Sequence, residues 1–554
     1  MTNDNFSAEI IQSSLRAISD EMFATIAKTA MSPIIYEVLD MATAITDAKG
    51  NLASAGSGIP AFVGALDRTV SVIIEKFGLD NIHDGDIFIS NDPHYGGVTH
   101  LNDVAFVKPV FMDDVLIAWT ANIAHWNDVS GKSPGSMSAD AKDIFQEGIR
   151  IPAVHIFSKG EPIAAVMDII QVNSRMSDYL KGDMWAQISS LQIGAKRIIE
   201  IANKYGVEHF CRAVENYLDD GEAMARKVLE KMPTGNFYLQ EQQDDGTTIS
   251  VTVNVSSDKI RIDLSDAPDQ VDVPINLSRD GTALACRMLL LSLVGDRNKA
   301  NGGCFRVMDI ITRPGSIYDV SGFAPCGMYF ETMIRLKDLI WRCLATHIPD
   351  LLPAGGFSSI CATILGGNHP DTGKHFSIIE PEIGGWGASK NSDGANAVFS
   401  SMHGDTFNCP AEIAEVRYGV RVNQMALNPE DGGAGQFRGG KGVVIDYQIR
   451  GSQAFLTCAY SRAKVPPWPL NGGHKGSLNR VDVIRSNGDC SSHSFESELP
   501  LSEHDVVRVI TANGAGYGDP HKRDKKLIQR DVENGYVSKS YAAEVYGWAE
   551  NKPN

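Results

Sequence analysis

Residues 85–111 read GDIFISNDPHYGGVTHLNDVAFVKPVF, and residues 121–136 read ANIAHWNDVSGKSPGS. Two apolar runs, 105–111 and 115–124, flank the turn Met112-Asp113-Asp114, so periodicity and turn chemistry predict a β-hairpin. The loops around it gather His94, His100, Asp103, His125 and Asp128. His100 and Asp103 are three residues apart, near enough for one cation to sit between imidazole and carboxylate, and closing the hairpin returns His125 towards them. A mixed nitrogen and oxygen donor set suits zinc, manganese or ferrous iron better than calcium or magnesium. The lack of sulfur argues against a structural zinc knot. The competing reading is that these are hydrogen-bonding turn residues, which an arbitrary HxxD more often is.

Outward from that stretch, the apolar spacing over 8–30 predicts an amphipathic helix. Residues 34–40 then read as an apolar strand ending in Asp40, whose simplest role is a strand-end cap or a turn residue. A strand, a DAKG turn and a second strand follow, and then a helix over 62–77. Beyond the hairpin, the loop 144–152 carries Glu147, either a general base or a solvated glutamate. Helices are expected at 178–205 and 207–231, broken at Gly206. After Pro233 the texture turns to strands interleaved with helices at 281–294 and 332–346. From Gly355 onward glycine clusters punctuate β-branched runs at 441–449 and 506–511. None has the spacing of a nucleotide-binding loop, so these glycines are expected to permit tight turns and close backbone approach, at sheet corners or along a ligand cavity.

Together these features predict an α+β chain in three pieces: a metal-site region over 1–172, a helical hairpin over 173–233 and a sheet-rich part over 234–554. With 554 residues, more than one core is required. Lys and Arg number 50 against 68 Asp and Glu, and the resulting net charge of −18 disfavours nucleic acid or anionic membrane as a partner. Nine dispersed cysteines without a CxxC pair read as reduced thiols, and the polar N-terminus is unlike a signal peptide. No uncharged apolar run is long enough to span a bilayer. The expected location is therefore the cytoplasm. Cys304, a candidate nucleophile, has no histidine near it in sequence and reads as a packed thiol.

These segments, with IFQEGIRIP, NGGCFRVMDI, EIGGWGA, GGAGQFRGGKGV, GAGYGDP and the closing DVENGYVSKSYAAEVYG, resemble the hydantoinase B family. That family includes the B half of 5-oxoprolinase, the beta subunits of N-methylhydantoinase and caprolactamase, and the alpha subunits of acetone and acetophenone carboxylases. The motifs occur in order along nearly the whole chain. The resemblance implies a two-subunit machine in which a hydantoinase A partner, an actin-like ATPase, uses ATP to phosphorylate an amide or enolate oxygen. The B subunit then completes the reaction at a divalent metal. Carried over by position, the implied ligands are Asp40, His100, Asp103 and His125. Asp128 and Glu147 are the candidate general bases, with His94 and Tyr95 as candidates for orienting substrate. Many relatives have a second histidine after the first where this chain has Trp126, which implies different hydrogen bonding around the metal and a different substrate shape. The expected activity is ATP-dependent opening of a lactam or other cyclic amide. Ketone carboxylation and a non-catalytic assembly role with a structural metal are the alternatives.

Overall fold

The computed structural model describes residues 2–295, 300–404 and 406–549. The chain forms two compact units, one of Met1–Gly235, Asn254–Met333 and Ser401–Phe407, the other of Asn236–Val253, Ile334–Ser400 and Asn408–Asn554. Both contain helices and sheets, as the α+β expectation required.

The first unit opens with α1 (Thr2–Thr29). Residues 34–40, expected as a strand, instead begin with the single turn α2 (Pro33–Tyr36), because a proline at the first helical position costs no intrahelical bond. That turn leaves Asp40 just ahead of β1 (Met41–Asp47). β2 (Leu52–Gly58), α3 (Pro60–Phe77), β3 (Ile87–Ser90), β4 (Asp103–Met112), β5 (Val115–His125), β6 (Val154–Ser158) and β7 (Glu161–Pro162) follow. The strands form one antiparallel sheet in the order β2-β1-β5-β4-β3-β6-β7. The predicted hairpin is β4–β5, turned by Asp113 and Asp114 at φ 49° and 63°, the left-handed pair that a tight two-residue hairpin needs.

After α4 (Ala164–Val172) come α5 (Ser177–Tyr205) and α6 (Val207–Leu229), broken at Gly206, whose φ is 87°. α1 and α5 cover one face of the sheet. Thr43 Oγ1 donates to Ser19 O at 2.7 Å, Thr120 Oγ1 to Leu191 O at 3.3 Å and Asn122 Nδ2 to Gln187 O at 2.8 Å. Side chains alternate along a strand, so Asp103 and His125, direct cross-strand partners, point to the opposite face.

The helical pair is therefore not a separate piece, as the three-part division had it. α5 seals the sheet and is tied to α1, with Ser190 Oγ donating to Met22 O at 3.0 Å. Nor does 234–554 form one body. The chain makes the hairpin of β8 (Gly235–Gln242) and β9 (Thr248–Val255) for the second unit, then returns to the first for β10 (Ile260–Asp263), α7 (Arg279–Val294) and β11 (Met308–Ile311). The change of texture after Pro233 marks a switch of local structure, and it says nothing about which core the strands join.

α8 (Tyr329–Ala345) leads into the rest of the second unit. Its strands are β12 (Ala362–Asn368), β13 (His375–Glu380), β14 (Val420–Leu427), β15 (Val443–Ile449), β16 (Ala454–Ala459), β17 (Arg480–Ile484), β18 (Cys490–His493), β19 (Phe495–Leu501) and β20 (Val506–Ile510). They form sheets ordered β13-β12-β16-β19 and β14-β15-β20-β17-β18. Leu365, Ile378 and Leu456 of one share a core with Ile445, Val483 and Val507 of the other. The glycine clusters serve close backbone approach. A Cβ on Gly439 would lie 1.9 Å from Gly514 O, and one on Gly514 would lie 2.0 Å from Trp386 O. Among the described residues no helix is long and apolar enough to cross a membrane, and none of the nine cysteines is in a disulfide.

One buried pair of carboxyls stands inside this second core. Asn408 Nδ2 donates to Glu380 Oε2 at 2.9 Å and to Glu382 Oε2 at 3.2 Å. Burial pushes the Glu380 carboxyl up to about 7, and burial with the charge of Glu380 raises Glu382 well above the usual range. A raised carboxyl pKa means that the folded state keeps its proton longer than the unfolded chain. The resulting stability is full below the ordinary carboxylate range and is lost as pH climbs through the folded value. Glu382→Gln should therefore gain in Tm over the wild type as pH rises from about 5 to about 8. A Tm difference that stays constant across a differential scanning calorimetry series over that range would contradict this.

Candidate metal centre

The open end of the β4–β5 hairpin presents Asp103 and His125 side by side, and the turn before β4 adds His100, whose carbonyl accepts from Asp103 N at 3.1 Å. One donor atom from each of His100, Asp103 and His125 lies within 4.8 Å of the others, and all three residues are buried. Asp40, fourth of the expected ligands, lies beside them. Its carbonyl accepts from His125 N at 3.0 Å, and its carboxyl is raised by burial and by the charge of Asp103.

The hydrogen bonds show which atoms remain available. Asp103 Oδ2 accepts from Thr99 Oγ1 and, at 3.2 Å, from the Tyr329 hydroxyl. Asp103 Oδ1 is buried and faces the His100 ring, while His125 Nδ1 and Asp40 Oδ1 are buried with no hydrogen-bond partner among the described residues. His100 Nδ1 lies 3.0 Å from Gly327 O, and a carbonyl only accepts, so Nδ1 carries the proton. That leaves Nε2, 3.0 Å from Asp103 Oδ1, as the atom facing the cluster. Orphaned oxygens and an imidazole nitrogen converging in a buried pocket call for positive charge, from a proton or a cation.

The ionisation pattern agrees. Burial alone would lower the His100 imidazole, but the Asp103 carboxylate and the Gly327 carbonyl outweigh it and raise it. Burial would raise Asp103, and the neighbouring His100 holds it low. His125 is pushed down to about 3 by burial and by His100, so it stays a neutral imidazole. The residues present thus fit a divalent cation held by one carboxylate oxygen and two imidazole nitrogens, with a second carboxylate adjacent.

Both expected general bases are otherwise engaged. Asp128 Oδ1 accepts from Ser130 N at 3.1 Å and Arg175 N at 3.0 Å, while Oδ2 accepts from Gly135 N at 3.1 Å and Arg175 Nη1 at 2.8 Å. It organises the loop after β5. Glu147 is 2% exposed, and its carboxylate accepts from Cys326 N at 3.0 Å and Gly327 N at 2.6 Å, with burial pushing it up to about 7. His94 Nε2 donates to Ala324 O at 3.0 Å, Tyr95 is exposed, and Cys304 is a buried thiol raised by burial. Trp126 turns towards α5, its indole donating to Gln187 Oε1 at 2.8 Å.

Sequence reasoning missed Thr99, Gly327, Tyr329 and His403. The segment Ser401–Phe407 belongs to the first unit, pinned by Phe407 N to Val38 O at 3.1 Å and Ala61 N to Met402 O at 3.3 Å. It brings buried His403 near enough to act on His125. Burial lowers its imidazole to about 4 against the pull of Asp103.

The model of the family described as Hydantoinase B/oxoprolinase matches residues 4–520. The chain belongs to that family. The caprolactamase subunit beta of Pseudomonas jessenii is 27% identical over 563 residues, covering 99% of this chain and 96% of the relative. The crystal structure of ATP-dependent caprolactamase from Pseudomonas jessenii superposes with a TM-score of 0.89 at 25% identity, over 99% of this chain and 97% of that one. Nucleotide-free acetone carboxylase shares the fold, with a TM-score of 0.87 at 18% identity over 99% of this chain and 80% of that one. For this hydantoinase B family chain, Asp103→Ala should cost the metal-free protein about 3–5 kcal/mol, because it strands the His100 charge and two hydroxyl donors. Tyr329→Phe removes one of two donors to Oδ2 and should cost about 1 kcal/mol. Urea unfolding of both variants measures the difference, and equal costs would mean that Asp103 carries no buried charge.

Proposed function

We propose that this chain is the metal-holding B subunit of an ATP-dependent amidohydrolase that opens a lactam or other cyclic amide of hydantoin, oxoproline or caprolactam type. The observation that carries the reading is the convergence of His100, Asp103 and His125 on one buried point, with donor atoms within 4.8 Å of one another. The partner is a hydantoinase A-type ATPase. Amides resist hydrolysis because nitrogen resonance blunts the carbonyl carbon, and phosphorylation of the oxygen by the partner makes that carbon electrophilic. Water adds there, the C–N bond breaks with its proton passing to nitrogen, and a second water releases the phosphoryl group as phosphate. One ATP and two waters are consumed per ring opened.

Asp103, His100 and His125, with Asp40 beside them, would hold zinc, manganese or iron. Such a cation supplies Lewis acidity and brings the pKa of a water towards about 7. The chain's own part is to fix the ligands, with Thr99 and Tyr329 on Asp103 and Gly327 on His100, in a buried setting that strengthens each charge interaction. The chain covers 97% of the caprolactamase chain but 80% of the acetone carboxylase chain, which favours amide opening over ketone carboxylation.

Elemental analysis of the purified protein should find near-stoichiometric transition metal in the wild type and little in His100→Ala and Asp103→Ala. With an A-type ATPase and ATP, only the wild type should form N-carbamoylglycine from hydantoin, glutamate from 5-oxoproline or aminohexanoate from caprolactam. Activity in metal-free wild type would overturn the metal reading. Consumption of bicarbonate and acetone in place of lactam would move the chain to the carboxylases, and metal retention without any activity would favour the assembly role.

A further inference from the structure

Residues 323–327 form a strap whose polar groups are nearly all spoken for. Phe323 O accepts from Ile144 N at 2.9 Å and Ala324 O from His94 Nε2 at 3.0 Å. The next two contacts belong to one side chain, since Cys326 N and Gly327 N donate to the two oxygens of Glu147 at 3.0 Å and 2.6 Å. The last belongs to the candidate centre, where Gly327 O accepts from His100 Nδ1 at 3.0 Å. Gly327 is thus gripped at its N–H by Glu147 and grips His100 with its C=O. Space is tight on the Glu147 side, where a Cβ on Gly327 would come within 2.9 Å of Oε1.

We infer that Glu147 is a positioning residue, not a general base: it fixes the strap so that the Gly327 carbonyl holds the proton of His100 on Nδ1 and presents Nε2 to the cation. The inference rests on the metal reading above and adds a residue whose carboxylate is bonded to the strap, at Cys326 N and Gly327 N, and not to the metal donors. Its physics is that of the outer hydrogen bond common to metal-ligating histidines, which selects the tautomer and the ring orientation. Here the outer partner is a backbone carbonyl, and a carbonyl stays only where its own peptide is held. The carboxylate suits that task because both of its oxygens accept. An amide in its place offers one acceptor and one NH2 group, so either Cys326 N or Gly327 N would face a donor. The peptide would have to rotate or shift to escape, taking the His100 partner with it.

The test uses the full chain, stripped of metal and titrated with Zn2+ or Co2+ alone. Glu147→Gln should bind Zn2+ about 10–100-fold more weakly and shift the visible bands of the Co2+ form. In the metal-free protein, a 15N-histidine spectrum should show an Nδ1-bonded proton for His100 in the wild type and lose it in the variant. Gly327→Ala, which crowds Glu147 Oε1 without changing charge, should move both readouts in the same direction and stands in if Glu147→Gln fails to fold. Wild-type binding with unchanged affinity, Co2+ bands and His100 signal in a folded variant would overturn the inference alone. A wild type that binds neither ion would overturn the metal reading, and the inference with it.

Discussion

The site depends first on strand register. Asp103 and His125 are opposite one another across β4 and β5, and Ala105, Phe106 and Val107 pair with Ile123, Asn122 and Ala121 in the same ladder. A slip of one residue would turn every side chain to the other face, sending His125 under α5 and bringing Asn122 to the metal side. The register is held at the far end by the Asp113-Asp114 turn. Along its length it is held by polar residues on the helix side, since Thr120 and Asn122 hydrogen-bond only if they face α5. The geometry of the candidate ion site is thus set by a turn roughly ten residues away, and α5 enforces it from the other face of the sheet.

The second constraint is electrostatic. Two carboxyls and two imidazoles in a buried region are costly unless their charges balance, since desolvation of an unpaired ion outweighs what any one contact returns. The protein meets part of that cost with Thr99 and Tyr329 on one oxygen of Asp103, with Gly327 on His100 and with the His100–Asp103 pair itself, and leaves His125 Nδ1 and Asp40 Oδ1 unbonded. A fully satisfied network would have been more stable and chemically inert. Incompleteness on one side, against satisfaction on the other, is the pattern that a bound cation would complete.

What the sequence revealed follows the range of the interactions involved. The hairpin, with His100, Asp103 and His125 on it, lies within some forty residues and rests on alternation and one turn, so local pattern sufficed. Asp40 carried no local signal beyond a strand end, and only the family resemblance singled it out. Asp128 and Glu147 were credible bases because a carboxylate in a loop looks alike whether it is solvated or bonded to four donors, and burial is invisible until the fold is known. Gly327, Tyr329 and His403 come from segments hundreds of residues away, brought in by an excursion of the chain between units that composition does not mark. The boundary at Pro233 was visible as a change from helix to strand, but membership in a core is a long-range property.

The tryptophan after His125 shows how such a departure is absorbed. The family resemblance leads one to expect a second histidine at Trp126, and a tryptophan beside His125 would alter the candidate centre if its side chain faced the same way. Strand alternation gives the answer, because the residue after His125 points to the opposite face. There its indole donates to Gln187 Oε1 at 2.8 Å, and Gln187 in turn holds Val104 O at 2.9 Å and Asn122 Oδ1 at 3.1 Å. Its backbone and Asn102 are tied reciprocally, with Trp126 N to Asn102 O at 2.8 Å and Asn102 Nδ2 to Trp126 O at 2.9 Å. The substitution therefore falls in the packing between hairpin and α5, where it braces the strands that carry the ligands. Asp103 and His125 face the other side of the sheet.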